Sequence, residues 1–336
     1  MHDKIDFVIP WVDGNDPAWQ AEKCHYLQED DNPITNCDAR YREWGTLKYW
    51  FRAVEKFAPW VNRVFFITCG QVPDFLNLEH PKLRFVQHKE YIPSQWLPTF
   101  NSHAIELNLH RIEDLSEQFV YFNDDMYLIA PTSPRDFFRE GLPCDQGVLG
   151  LLTPNKGDTP VCYYWILNDI FYLNKHFNKN ECLQLHHEKW FSNIYGTLQE
   201  RTDRLTYWNC FTGFYTPHIQ QSFLKSTFSE VWAAEPSLLA EVSSHRFRMD
   251  MDVNQYLMRY WQLAKGAFAP YPKSGQHYSL HNCNFEKITS DIRANGYKTL
   301  CLNDSEIVTA AEYAQRRRDC LAWFEALLPE KSSFER

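Results

Sequence analysis

Two short apolar runs, each closed by an acidic turn, constrain this chain most. Ile5-Asp6-Phe7-Val8-Ile9-Pro10-Trp11-Val12 gives way to Asp13-Gly14-Asn15-Asp16-Pro17, and Phe119–Phe122 gives way to Asn123-Asp124-Asp125. Runs of this length, rich in β-branched and aromatic residues and stopped by turn-forming residues, read as buried strands. Arg63–Cys69 and Leu83–Gln87 read as two more. Between them, residues 18–40 read as a helix and a polar loop. Thr46–Phe57 reads as an amphipathic helix through the spacing of Leu47, Trp50, Phe51 and Val54, and Ser102–Arg111 as another helix. Alternating strand and helix favours a mostly parallel sheet with helices on both faces. In such sheets ligands collect beyond the carboxyl ends of the strands. Both acidic turns lie at such ends and are expected to face one crevice.

The texture changes after this α/β half, residues 1–139. Residues 140–265 are rich in Trp and Tyr and helical in spacing, as in Tyr164–Phe177 and Asp252–Leu263, and read as a helical insertion or cap. Residues 266–303 return to short strands and turns, and a closing helix over 305–329 can be capped by Ser305, so that 266–336 rejoins the core. With 336 residues and no internal repeat, one elaborated domain is expected.

Composition narrows the function classes. A net charge of −9 without a basic stripe argues against a nucleic-acid partner. The one basic cluster, Arg316-Arg317-Arg318, shares its run with Glu312 and Asp319 and suits a solvated helix face, though it leaves room for peripheral contact with an anionic membrane. Since the chain has no apolar stretch long enough to span a bilayer, no membrane crossing is expected. The 10 Cys include no CxxC pair, and without a secretion signal they are expected to be thiols in the cytoplasm. Aromatics at 16% suit stacking on sugars and suit an aromatic core equally well.

Several groups can carry chemistry. A strand ending in Asn-Asp-Asp offers the oxygen ligands that hard ions such as Mg²⁺ or Mn²⁺ prefer, although Asn and Asp are also ordinary turn residues. Leu300-Cys301-Leu302-Asn303-Asp304 repeats that pattern. Asp13, Gly14 and Asp16 are a further nucleotide or metal candidate, or simply a tight turn. Glu106 shares a helix face with His103 and His110 and is a candidate base, or a surface ion-pair partner. His218 follows a dense apolar run and reads as a core histidine or a catalyst. Arg246, Arg248, Asp250 and Asp252 read as an ion-pair network or as a phosphate clamp.

Taken together, these blocks resemble the Stealth family of sugar-phosphate transferases, which includes bacterial capsule polymerases and the catalytic subunit of the lysosomal-enzyme N-acetylglucosamine-1-phosphotransferase. The similarity runs through four regions in order. The first is Ile5–Asp16. The second, Leu47–Met126, includes Ala58-Pro-Trp-Val61, Gly70-Gln-Val-Pro73, Leu97-Pro-Thr-Phe100, Ala104-Ile-Glu106 and Asn123-Asp-Asp125. The third is His218–Asp252, and the fourth is Cys301-Leu-Asn-Asp304.

The resemblance implies a Rossmann-like, GT-A-like fold and a catalytic set of Glu106, Asp125, His218 and Arg248, with Arg246 close enough to compete for the arginine role. It implies a divalent ion, Mg²⁺ or Mn²⁺, on Asp125, Asn303 and Asp304, and a donor pocket involving Asp13, Gly14, Asp16, Lys48 and Arg52. Lys48 departs from the arginine that relatives often carry there, which puts a bidentate role in doubt. The implied reaction moves a hexose- or N-acetylhexosamine-1-phosphate from a UDP-sugar to a hydroxyl of a glycan or lipid-linked glycan and releases UMP, at the inner face of the cell membrane or free in the cytoplasm. Two alternatives are a GT-A-like glycosyltransferase releasing UDP and a non-catalytic glycan-binding protein.

Overall fold

A computed structural model describes residues 4–27, 41–153, 162–280, 284–304 and 309–336. Its strands are β1 (Ile5–Pro10), β2 (Val64–Thr68), β3 (Leu83–Gln87), β4 (Gln118–Tyr121), β5 (Met126–Leu128), β6 (Phe138–Arg139), β7 (Leu142–Asp145), β8 (Gln221–Leu224), β9 (Ala269–Pro270), β10 (Gly275–Ser279) and β11 (Thr299–Asn303). Its helices before residue 200 are α1 (Pro17–Tyr26), α2 (Leu47–Phe57), α3 (His88–Tyr91), α4 (Ser102–Leu107), α5 (Cys162–His176), α6 (Lys179–Leu185), α7 (His187–Trp190) and α8 (Gln199–Leu205). The remainder are α9 (Lys225–Ala234), α10 (Pro236–Ser244), α11 (Gln255–Ala264), α12 (Phe285–Asn295) and α13 (Ala310–Leu327).

The main sheet runs β3-β2-β1-β4-β8. The first four strands are parallel and β8 is antiparallel to β4. The chain steps outward one way from β1 through β2 to β3 and returns on the other side as β4. The order therefore reverses between β1 and β4, where an open α/β sheet forms its ligand crevice. The expectation of a mostly parallel α/β sheet with helices on both faces holds. The segment expected as a helical cap also supplies β8, an edge strand of this sheet.

Alternation along the strands makes the two cores. Phe7, Ile9, Val64, Phe66, Val120 and Phe122 face one way, onto α2, α13 and the small sheet β10-β11-β5. Val8, Phe65, Ile67, Phe119, Tyr121 and Phe223 face the other, onto residues of α5, α9, α10 and α11. Side chains two apart on a strand share a face, so runs buried on both faces read as continuous hydrophobic sequence.

Three local features depart from the sequence reading. Ser102–Arg111 is not one helix: α4 stops at Leu107 and a tighter 3₁₀ turn follows, as Asn108 Nδ2 bonds Ala104 O at 2.8 Å and Ser243 Oγ at 2.9 Å. Residues 266–303 contain α12, capped by Asn284 and closed by Gly296 in the left-handed conformation. The closing helix begins at Ala310, where Thr309 and Glu312 form a capping box; Ser305 and the polar loop after α1 lie outside the described residues.

Candidate active site

β4 ends at Tyr121 and β5 begins at Met126, so Asn123, Asp124 and Asp125 form the turn by which the chain leaves one sheet for another. Met126 N bonds Asn123 O at 3.0 Å and closes this turn. On its far side, Leu302 N donates to Asp125 O at 2.9 Å. The turn is thus fixed through its backbone, and its carboxylates remain to interact elsewhere.

Asp125 Oδ1 is buried without a hydrogen-bond partner among the described residues, and Oδ2 lies 3.8 Å from His218 Nε2. Asp125, His218 and Cys301 each offer a ligand atom, and these atoms lie within 4.8 Å of one another. His218 Nδ1 meets the Tyr256 hydroxyl at 3.2 Å, which orients the ring from α11. Burial, then the charge and hydrogen bond of Asp125, push the Cys301 thiol far up. An orphaned carboxylate oxygen beside an imidazole fits a divalent cation; the protonated thiol would have to ionise to join it.

Asp124 is open to solvent yet crowded by protein on several sides. That crowding, with the charges of Asp125 and Glu43, shifts its carboxyl upward, while Arg248 pulls it down. Arg248 therefore acts on this turn. It donates to Ser102 Oγ at 2.7 Å and sits over Trp165 at 5.7 Å. Arg246 instead lies 4.8 Å over Tyr26. Asp252 pairs with neither arginine; its partners are Asn101, His103 and His245.

Glu106 is buried on α4, where its Oε1 accepts from the Tyr121 hydroxyl at 3.0 Å and its Oε2 has no partner among the described residues. Burial, then the nearby Glu106, drive the Tyr121 phenol far up, which keeps it a donor. The face shared with His103 and His110 is divided in practice. His103 turns to Asp252 at 2.9 Å, while His110 packs against Phe228 and Trp232, where burial brings it down to about 4.

The structure gives each residue of the expected donor pocket contacts within the protein. Arg52 is buried on α2 and bonded to Glu335 at 2.8 and 3.0 Å, to Glu325 at 3.4 Å and to Leu328 O at 2.8 Å. It anchors the C-terminal segment, with all three of its nitrogens engaged there. Lys48 lies 4.8 Å over Tyr49 and in the field of Glu325, on that same side. Asp16 is the N-cap of α1, accepting from Ala18 N and Trp19 N at 2.9 and 3.4 Å. Gly14 is required by packing, because a Cβ there would meet Tyr41 O at 2.0 Å. Asp13 accepts from Asn15 N at 2.9 Å, and its charge reaches Glu43. Asp304, expected in the metal set, accepts at its Oδ2 from Arg42 and from Trp44, each at 3.0 Å. Asn303 lies two residues beyond Cys301 on β11 and so shares its face.

Some neighbours were missed in the sequence. His277 pairs in register with Cys301 from β10, and burial followed by the charge of His218 shifts its imidazole down. A lone His on a short strand carries no local signal. Glu43 accepts from Trp11 Nε1 at 2.7 Å, and its charge reaches both Asp13 and Asp124, so it links the two acidic turns. Burial shifts its carboxyl upward. A large cavity among the described residues, about 680 Å³, lies by Ile5, Gln118, Arg135 and Arg139, at the amino ends of β1 and β4 and so away from this chemistry.

The models of Stealth protein conserved regions 1 and 2 match residues 3–28 and 40–144. A capsular polysaccharide phosphotransferase, WcwK of Streptococcus pneumoniae, is 40% identical over 337 residues, covering 99% of this chain and 98% of that protein. This chain belongs to the Stealth family. It is an enzyme of the transferase class, as its relatives are named. Another relative, the receptor polysaccharide phosphotransferase WefC of Streptococcus gordonii, is 41% identical over 347 residues, with 100% of each chain covered. Among solved structures, the apo bifunctional glycosyltransferase WbbM is similar at 9% identity, with 98% of this chain and 52% of that one covered and a TM-score of 0.38. In this Stealth protein, no helix among the described residues is long and apolar enough to cross a membrane.

Proposed function

We propose that this enzyme transfers a hexose- or N-acetylhexosamine-1-phosphate from a UDP-sugar to a hydroxyl of a glycan or lipid-linked glycan and releases UMP, in capsule or exopolysaccharide synthesis. The relatives' names as polysaccharide phosphotransferases support the reaction class and its setting. The observation that carries the assignment to a site is Asp125 at the carboxyl end of β4, with Oδ1 orphaned among the described residues and Oδ2 3.8 Å from His218 Nε2, beside an Asp124 that lies in the field of Arg248.

The acceptor oxygen attacks the β-phosphorus, the bond from that phosphorus to the bridging oxygen breaks, and UMP leaves with the pair of electrons. Phosphoryl transfer needs little covalent help from protein; it needs alignment and charge neutralisation. Asp125, with Asn303 beside it, would hold a divalent ion, Mg²⁺ or Mn²⁺, which neutralises diphosphate charge. Arg248 would bind non-bridging phosphate oxygens through its planar fork. His218 is the better placed of the two candidate bases. Its side chain is 31% exposed in the crevice, whereas Glu106 is 4% exposed beneath Tyr121. His218 Nε2 would take the acceptor proton while Tyr256 holds the ring. Glu106 would fix Tyr121 and the floor of the strand end. Asp13 and Glu43 would border the donor side. The reaction is placed in the cytoplasm, where UDP-sugars are made, with peripheral contact to a membrane if the acceptor is lipid-linked.

The test is incubation of the protein with a panel of UDP-sugars, a glycan acceptor and Mg²⁺ or Mn²⁺, followed by nucleotide analysis. UMP is expected. UDP would instead establish ordinary glycosyl transfer, and glycan binding without turnover of any donor would favour a non-catalytic role.

A further inference from the structure

Asp252 is wholly buried, and both of its oxygens are engaged. Oδ2 accepts from Asn101 Nδ2 at 3.1 Å, His103 Nδ1 at 2.9 Å and Met249 N at 3.0 Å, and Oδ1 accepts from His245 Nδ1 at 2.7 Å. His245 and Met249 bracket Arg248 in the chain. Asn101 and His103 bracket Ser102, whose hydroxyl accepts from Arg248. One carboxylate thus clamps the loop that carries the arginine to the first turn of α4, the helix that carries Glu106.

Other contacts close the same joint. Asn101 Nδ2 also reaches His245 O at 3.1 Å and Phe247 O at 3.4 Å. From α5, Trp165 Nε1 donates to Met249 O at 2.9 Å, and Asn168 Nδ2 donates to Asp250 O and Asp252 O, both at 2.9 Å. Burial would raise the Asp252 carboxyl, but the His103 and His245 hydrogen bonds outweigh it and bring it down to about 2. The hub is therefore an anion throughout the range in which the enzyme works.

We propose that Asp252 is the positioning residue for Arg248: it sets where the guanidinium stands relative to the β4 strand end, without touching substrate. This rests on the reading of Arg248 as the phosphate-binding arginine. A hydrogen-bonded group that must be held within about 0.5 Å of its productive geometry depends on the shell behind it. Replacing Asp252 by Asn keeps the size but removes the charge, and its amide NH2 must either face the donors Asn101 Nδ2 and Met249 N or force His245 into the tautomer that accepts at Nδ1, so the clamp is weakened.

The test is steady-state kinetics and thermal melting on full-length Asp252→Asn, Arg248→Lys, their double variant and Arg248→Ala. His245→Ala and His245→Asn are run alongside in case Asp252→Asn does not fold, because the amide of an asparagine substituted for His245 can replace imidazole Nδ1 as donor to Asp252. Asp252→Asn is expected to lower kcat roughly tenfold to hundredfold, the rate equivalent of coupling within one hydrogen-bond network, with a smaller change in KM for the donor. The double variant should be no slower than Arg248→Lys alone. His245→Ala should lose part of kcat and His245→Asn should recover it. Losses that multiply in the double variant, wild-type turnover in Asp252→Asn, or equal activity of the two His245 variants would each overturn the proposal. Arg248→Ala separates the two levels. Its full activity would overturn the reading of the site itself, whereas an inactive Arg248→Ala with an undiminished Asp252→Asn overturns only the positioning role.

Discussion

The turns after β1 and β4 begin alike. Each follows a fully buried parallel strand, the strands are hydrogen-bonded neighbours, and each turn carries two aspartates. After β1 the chain continues directly into a helix, and the turn's acids serve that transition. Asp16 caps α1, Asp13 accepts from Asn15 N, Gln71 bridges the Asp13 backbone and Asp16, and Gly14 packs under Tyr41. After β4 the chain enters another strand, which has no helix end to cap. The backbone of that turn is satisfied by β11 and by its own closing bond; among the described residues Asp125 Oδ1 keeps no partner, and Oδ2 lies 3.8 Å from His218 Nε2. What the chain does after an acidic turn decides whether its oxygens are left for a ligand.

This contrast can be broken at four points. Asp125→Asn should have the largest effect, a loss in transfer of about a hundredfold to a thousandfold, typical of removing one electrostatic group from a transition state, with an unchanged circular dichroism spectrum. Transfer near the wild-type rate would remove the distinction between the turns. Gly14→Ala should lose roughly 1–3 kcal/mol of stability by overpacking against Tyr41, read from denaturant unfolding. Asp16→Ala should lower the melting temperature slightly as a lost N-cap with kcat unchanged; a large kcat defect in a folded protein would assign Asp16 to the donor pocket.

The smallest effect concerns pH. The hydrogen bond to Asp252 shifts His245 upward, so its contribution is complete below the unfolded value of about 6.5 and is lost as pH rises through its folded value. Asp252, held down to about 2, contributes above the unfolded value of about 3.9 and loses this only as pH falls toward about 2. Melting temperature should therefore step down slightly on the alkaline side, and His245→Ala should abolish that step. An identical step in the variant would assign it to another group.

The parallel sheet was legible in the sequence because β1, β2 and β4 are buried on both faces and read as largely apolar runs. The Asn123–Asp125 turn was legible because it ends such a run. The contacts of Asp304 and Arg52 were not legible for one shared reason: their partners, Arg42 and Trp44 for one and Glu325 and Glu335 for the other, lie more than 250 residues away along the chain, where local pattern has no reach. The Asp252 hub had the same difficulty. Its spacing from Arg248 suggested an ion pair, but histidines brought by α4 and the preceding loop take its oxygens. α12 is different, since Asn284 and Gly296 marked both of its ends and the short-strand reading overlooked them.

The central claim is that phosphorus travels with the sugar and that Asp125 is needed for it. The most direct measurement uses a UDP-sugar carrying radioactive phosphorus at the β position, followed into acceptor glycan by the wild-type enzyme and by Asp125→Asn. The account expects the label in the glycan for the wild type and almost none for the variant. Label remaining in UDP while unlabelled sugar enters the glycan would contradict it.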